Sequence, residues 1–203
     1  MENFVGKESG LIEAFIQVDP VEVERKLGDL SHKANLVMSR ASNRTITNVT
    51  KNMKSEVKKK YRIKSSDIGK TITTKRASVN QPFASVISTD RHPNLAKFKV
   101  SPNRPVKVLK SKKRSPKAYR AAVERTNSGI YLTGENKPFI ATMQNGFTGL
   151  FQRKSVKSRR LKGVYGPAVP QMLKNDAVMR VINQEASEMM MKRVEAEIKH
   201  LLG

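Results

Sequence analysis

Cysteine and tryptophan are missing from this 203-residue sequence, and only 5% of its residues are aromatic. Without cysteine there is no disulfide, no thiolate metal ligand and no thiol nucleophile, which fits a reducing compartment. With so few rings the core must rest on aliphatic and methionine side chains. No run of about 18 apolar residues occurs, and the opening MENFVGKESG is not a basic start followed by an apolar stretch. A soluble, unexported protein with no membrane contact is therefore expected, and Asn43-Arg44-Thr45 and Asn48-Val49-Thr50 read as chance glycosylation patterns.

Groups for catalysis are equally sparse. His32, His92 and His200 stand at unrelated spacings, and neither HExxH nor GxSxG occurs. Between residues 31 and 175 the acids are Glu56, Asp67, Asp90, Glu124 and Glu135, too dispersed for a carboxylate metal site. Gly69-Lys70-Thr71 resembles the end of a phosphate loop, but Lys64 occupies the place of the glycine required five positions earlier. No catalytic residue, cofactor or metal is expected, and the chain reads as a non-enzyme.

What the sequence has in excess is positive charge, with a net value of +23. Residues 1–30 hold seven acids and three bases, and residues 176–203 hold five acids and four bases, whereas residues 31–175 carry 33 bases against five acids. Such a middle section calls for a polyanion, an acidic partner surface, or the acidic end of a second subunit; composition alone does not choose. A chain of this length can bury about 70% of its unfolded surface, enough for one domain over residues 1–203.

Hydrophobic periodicity then orders the chain. LIEAFIQV, residues 11–18, alternates as a strand, and Asp19-Pro20 forms a helix start in which Asp caps free amides and Pro needs none. From Val23 to Tyr61 apolar residues recur at three- and four-residue steps, predicting a long amphipathic helix broken or bent near Gly28. After the turn-like Ser65-Ser66-Asp67, TITTKRA, FASVISTD, KAYRAAVER and GIYLTG read as strands. Residues 91–117 carry ten bases, four prolines and no acid, predicting an extended basic arm or loop without a core of its own. A second amphipathic helix closes the chain, with Asp176 as candidate cap and a stripe from Val178 to Leu201. The predicted class is α+β: two long helices packed on a small, mainly antiparallel sheet.

FIATMQNGFTGLFQR, Phe139 to Arg153, places Asn145-Gly146 between two apolar runs, as primed hairpin turns demand. Phe139, Ile140, Phe147, Leu150 and Phe151 are expected on this hairpin, supplying much of the aromatic core. Candidate contacts to DNA or protein partners fall in three basic segments. They are Lys58, Lys59 and Lys60 in 51–64; Lys97, Lys99, Arg104, Lys107, Lys110, Lys112, Lys113 and Arg114 in 91–117; and Arg153, Lys154, Lys157, Arg159, Arg160 and Lys162 in 153–162. Aromatics are not interleaved with the bases along the chain, so phosphate contact is expected rather than sequence readout.

The run KPFIATMQNGFTGLFQRKSVKSRRLKGVYGPAVPQML resembles the signature region of the phage and prophage minor tail protein Z family, also grouped with tail completion proteins. The resemblance lies in Phe139-Ile140-Ala141, the Asn145-Gly146 turn, Gly149 to Arg153, the basic run, Gly166-Pro167 and Val169-Pro170. It implies a non-enzymatic structural subunit forming a sixfold ring at the head-proximal end of the tail. Its implied neighbours are the tail terminator, tail tube and head-tail connector proteins, around a channel for phage DNA. It further implies a place in the virion, after assembly in the host cytoplasm. The reading from another class is a stand-alone, non-sequence-specific nucleic-acid-binding protein.

Overall fold

The computed structural model describes residues 10–15, 19–105, 118–133, 136–155 and 158–203. The first strand, β1 (Gly10–Phe15), covers the start of the predicted one. Asp19 then caps helix α1 (Pro20–Leu27), its carboxylate accepting from Val21 N at 2.9 Å, with Pro20 at the first helical position. Gly28 takes a positive φ of 56°, and a 3-10 segment over Gly28–Lys33 separates α1 from α2 (Ala34–Lys60). The expected break near Gly28 is thus a change of helix type that re-aims the axis.

Ser65-Ser66-Asp67 is not a simple turn but opens the short helix α3 (Ser65–Gly69), pinned by fully buried Ile68. Strands β2 (Ile72–Lys75) and β3 (Ser85–Asp90) follow, and β1 and β2 both pair antiparallel with β3. A second antiparallel sheet joins β4 (Lys99–Ser101), β5 (Tyr119–Ala122) and β6 (Ile130–Leu132), and a third joins β7 (Phe139–Thr142), β8 (Thr148–Arg153) and β9 (Leu161–Gly163). Helix α4 (Val169–Leu173) leads into α5 (Asp176–Leu202).

The α+β class is observed, with the antiparallel strands divided among three small sheets. Helices α2 and α5 lie antiparallel, because Arg44 meets Glu197, Asn52 meets Glu185 and Lys60 meets Asn175. Their seam buries Met38, Ile46, Val49 and Met53 with Ile182, Met190, Val194 and Ile198, close to the stripes the three-and-four spacing draws. A buried carboxylate stands at the seam: Glu197, 4% exposed, receives Arg44 at 2.7 Å and Arg40 at 3.8 Å. Asp176 does not cap α5. The cap position is Asn175, whose side-chain oxygen accepts instead from Lys60 Nζ at 2.8 Å, and Asp176 is the first helical residue.

The segment 91–117 is partly structured into the body. Its residues 94–101 form a 3-10 turn (Leu95–Lys97) and β4, with Leu95, Phe98 and Val100 buried. Lys97, Lys99 and Arg104 are exposed, and Ser101 pairs with Arg120 on the returning strand. Lys107, Lys110, Lys112, Lys113 and Arg114 lie outside the described residues, as does Lys157. In KFKV, residues 97–100, cations and apolar residues alternate, so the strand presents its charges outward while Phe98 and Val100 point inward.

Candidate functional site

The third sheet and its connecting loops hold ten of the sixteen predicted site residues that the structure describes, and one buried side chain fixes its position. Asn94, 6% exposed, donates from Nδ2 to Leu150 O at 3.0 Å and accepts from Leu150 N at 2.8 Å, so its amide imitates a neighbouring strand. Its oxygen also accepts from Ala96 N at 3.0 Å, capping the 3-10 turn. With Leu95 N donating to Val164 O, Asn94 locks residues 94–98 against β8 and the chain after β9. No periodicity marks Asn94 in the sequence; its role arises from a contact 56 residues distant.

That clamp decides which face of the β7–β8 hairpin is inside. Ile140 pairs with Leu150, and both point into the core at 5% and 0% exposure. Phe139 pairs with Phe151 on the opposite face, where both rings are only half-buried, and Phe147 is 44% exposed. The expectation that these phenylalanines build the aromatic core is therefore corrected for Phe147 and Phe151, because strand alternation puts Phe139 and Phe151 on the face opposite Ile140 and Leu150; the half-buried Phe139 still packs against the core. Among the described residues the buried aromatic ones are Tyr61, Phe98 and Tyr119.

The turn differs in kind too. Gly146 N donates to Met143 O at 2.9 Å and Met143 N to Phe147 O at 2.8 Å, making a three-residue loop in which Gly146 holds the left-handed position at φ 79°. This is the type I turn followed by a glycine bulge, rather than a two-residue primed turn. Asn145 serves it through its side chain, whose oxygen accepts from Phe147 N at 3.1 Å.

On the outward face the rings form a patch. Phe147 meets Phe151 edge-on, with centroids 6.1 Å apart and planes at 87°. Phe147 lies against Gly149, where an added Cβ would come within 2.7 Å of its Cε1, and Tyr165 lies against Gly163, where the corresponding distance to its hydroxyl is 2.6 Å. Tyr165 is 61% exposed and also lines an open cleft of about 1060 Å³ with Tyr61, Leu95, Ile130 and Met172. Arg153 stacks its guanidinium 6.0 Å from the centroid of Phe139 and donates to Ser158 O at 3.0 Å.

Cations lie along the β8–β9 hairpin, where by alternation Arg153 shares the face of the rings and Lys162 the face of Leu150. Strand β9 pairs with β8, Arg153 facing Leu161 and Gln152 facing Lys162, and Lys154 N donates to Arg160 O, so the basic run closes a second hairpin. Arg153, Lys154, Arg159, Arg160 and Lys162 are all exposed, and none forms an ion pair among the described residues. The other basic segments differ. Lys59 binds Glu56, and that hydrogen bond and charge hold the lysine above its ordinary pKa. Lys60 binds Asn175, Lys97 binds Asp67 at 3.1 Å, and Arg62 and Arg125 donate to backbone carbonyls joining the end of α2 to residues 124 and 125. Lys58 is exposed.

Among the described residues no group of three or more His, Cys, Asp or Glu side chains is placed to hold a metal ion. His92 binds Gly166 O at 3.0 Å, while His32 and His200 lie on the surface. No described helix is long and apolar enough to cross a membrane. What the arrangement offers is a docking surface: cationic side chains and exposed rings on a braced antiparallel sheet.

The fold is of the α+β class, with a small antiparallel sheet that displays cations and rings. The chain belongs to the prophage minor tail protein Z (GPZ) family, whose family model matches residues 22–203. Comparison with curated proteins and with solved structures gives no match. Membership assigns it a structural role in the phage tail, within the virion and in contact with other tail components.

Proposed function

We propose that the chain is a tail completion subunit that forms a sixfold ring at the head-proximal end of the tail. It joins the tail tube or terminator to the head-tail connector around the DNA channel. The observation that carries this reading is the unpaired charge on the third sheet: five exposed cations on one hairpin, with no ion pair among the described residues. Like charges held this close repel one another, and a counter-charge outside the chain relieves that repulsion. DNA phosphates in the channel and acidic surfaces of neighbouring subunits both supply it. Lys58, Lys99 and Arg104 add exposed charge for the same contacts.

The test replaces Arg153, Lys154, Lys157, Arg159, Arg160 and Lys162 with Ser. The variant should melt as the parent does yet fail to enter tails in a complementation assay. Normal incorporation would remove the hairpin from the assembly contacts. Electron micrographs of purified tails carrying labelled protein should show the label as a ring beside the head junction, and a label at the distal tip would refute the location.

A further inference from the structure

We propose that the outward face of the β7–β8–β9 sheet binds single-stranded nucleic acid, with Phe147 and Tyr165 as stacking surfaces for unpaired bases and Arg153 as a phosphate contact. Along the chain the rings and bases are separate; the sheet brings them together. Phe139 and Phe151 are cross-strand partners, and Phe151 is paired in turn with Gly163, over which Tyr165 lies. The result is a row of rings across three adjacent strands, with Phe147 packed beside it on Gly149.

Proteins that hold single strands combine this pair of features, aromatic faces for successive bases and a cationic track for the backbone. A duplex hides its base faces in the stack and presents only phosphates and groove edges to such a surface. The charge pattern favours a polyanion over an apolar protein partner. The exposed charged side chains of the β8–β9 hairpin are all cationic and no acid occurs from Asn136 to Asn175, with Glu124 the acid that lines the cleft beside Tyr165; lysine, three of whose residues stand in this basic run, is depleted in protein interface cores. Arg153 already stacks on Phe139, the geometry by which a guanidinium adds a further π-facing surface.

This inference does not rest on the ring: it concerns what the full chain binds in solution. The experiment measures fluorescence anisotropy of a labelled oligothymidylate of about 15 nucleotides, and of a duplex of equal length, over a salt series. The parent should bind the single strand more tightly. Phe147→Leu with Tyr165→Leu keeps apolar area but removes the ring faces, and should weaken single-strand binding about fivefold or more while leaving duplex binding unchanged. Arg153→Ser should lower the slope of log affinity against log salt by about 0.7. Phe83→Leu, at an exposed ring beside α2, is the control and should change nothing.

Thermal melting checks that each variant is folded. Equal or tighter duplex binding that is insensitive to the leucine variant, or no binding of either oligonucleotide, overturns the inference. So does a leucine variant that binds oligothymidylate normally but cannot enter tails, since the face would then be a protein interface. If oligonucleotide binding fails while the serine hairpin variant still blocks incorporation, the assembly reading survives without this one.

Discussion

Two substitutions in one hairpin separate the residues that hold the fold from those displayed on it. Leu150 has no solvent exposure and lies opposite Ile140 on the core face of β8. Leu150→Ala removes three carbons from a packed interior and should cost about 2–5 kcal/mol. For a chain of this size each kcal/mol lowers the melting temperature by about 2–4 °C, so the melting temperature should fall by about 4–20 °C. Phe147, three residues away, is 44% exposed and its specific contact is the edge-on meeting with Phe151. Phe147→Ala loses that contact, about 0.5–1.5 kcal/mol beyond the ring's partial burial, and leaves no enclosed cavity, so its shift should stay below that of Leu150→Ala. Far-UV circular dichroism melts of the two full-length variants beside the parent make the comparison. A Phe147→Ala shift as large as that of Leu150→Ala would refute the assignment of faces and return the phenylalanines to the core.

The Arg40, Arg44 and Glu197 cluster should be asymmetric. Glu197→Gln leaves two half-exposed arginines that water can solvate and costs about 1–3 kcal/mol, whereas Arg40→Ser with Arg44→Ser strands a buried carboxylate and costs about 3–5 kcal/mol; urea unfolding giving the reverse order would refute this. Gly166→Ala would overlap the buried Phe98 ring and should destabilise by about 1–3 kcal/mol, while Gly163→Ala meets exposed Tyr165, which can swing away, and should stay within about 0.5 kcal/mol of the parent in thermal melts. Burial holds the Asp90 carboxyl above the ordinary aspartate pKa, so the folded state binds its proton more tightly than the unfolded chain. Stability from this group should therefore rise as pH falls from above the folded value toward the ordinary one, and Asp90→Asn should remove that rise; parallel pH profiles for parent and variant would refute it.

Those elements whose pattern points one way were legible in the sequence. Asp19-Pro20 starts α1, and the α2 and α5 stripes meet along the seam their spacing draws. The hairpin was legible as a hairpin, but not its inner face, for a physical reason. Phe139 and Ile140, like Leu150 and Phe151, put apolar side chains on both faces, so alternation alone leaves the choice open. Asn94, a long-range contact, closes it. In residues 91–117 the charge density obscured an alternation that was present, since KFKV carries its cations on one side and Phe98 and Val100 on the other. Charge count likewise overstated the free cations: Lys59, Lys60 and Lys97 all have partners within the chain.

The two glycines of the third sheet tie this geometry to function. Glycine inside a strand weakens it, because it adds backbone entropy to the unfolded chain and offers no side chain to pack. Gly149 and Gly163 occupy strand positions nonetheless, and each leaves the space against which a ring rests, Phe147 on one and Tyr165 on the other. A Cβ at either position would lift its ring from the backbone. At Gly149 that space is shared with buried Asn94, whose amide an added Cβ would meet at 3.1 Å, so this glycine also serves the clamp; at Gly163 the gain is an exposed one, which points to use by a partner more than to stability. The Asn94 clamp, the outward phenylalanines and the unpaired cations of the β8–β9 hairpin fit that reading together. Leu150 and Ile140 secure the sheet from below, and its other face carries the exposed rings of Phe147 and Tyr165 with Arg153 beside them.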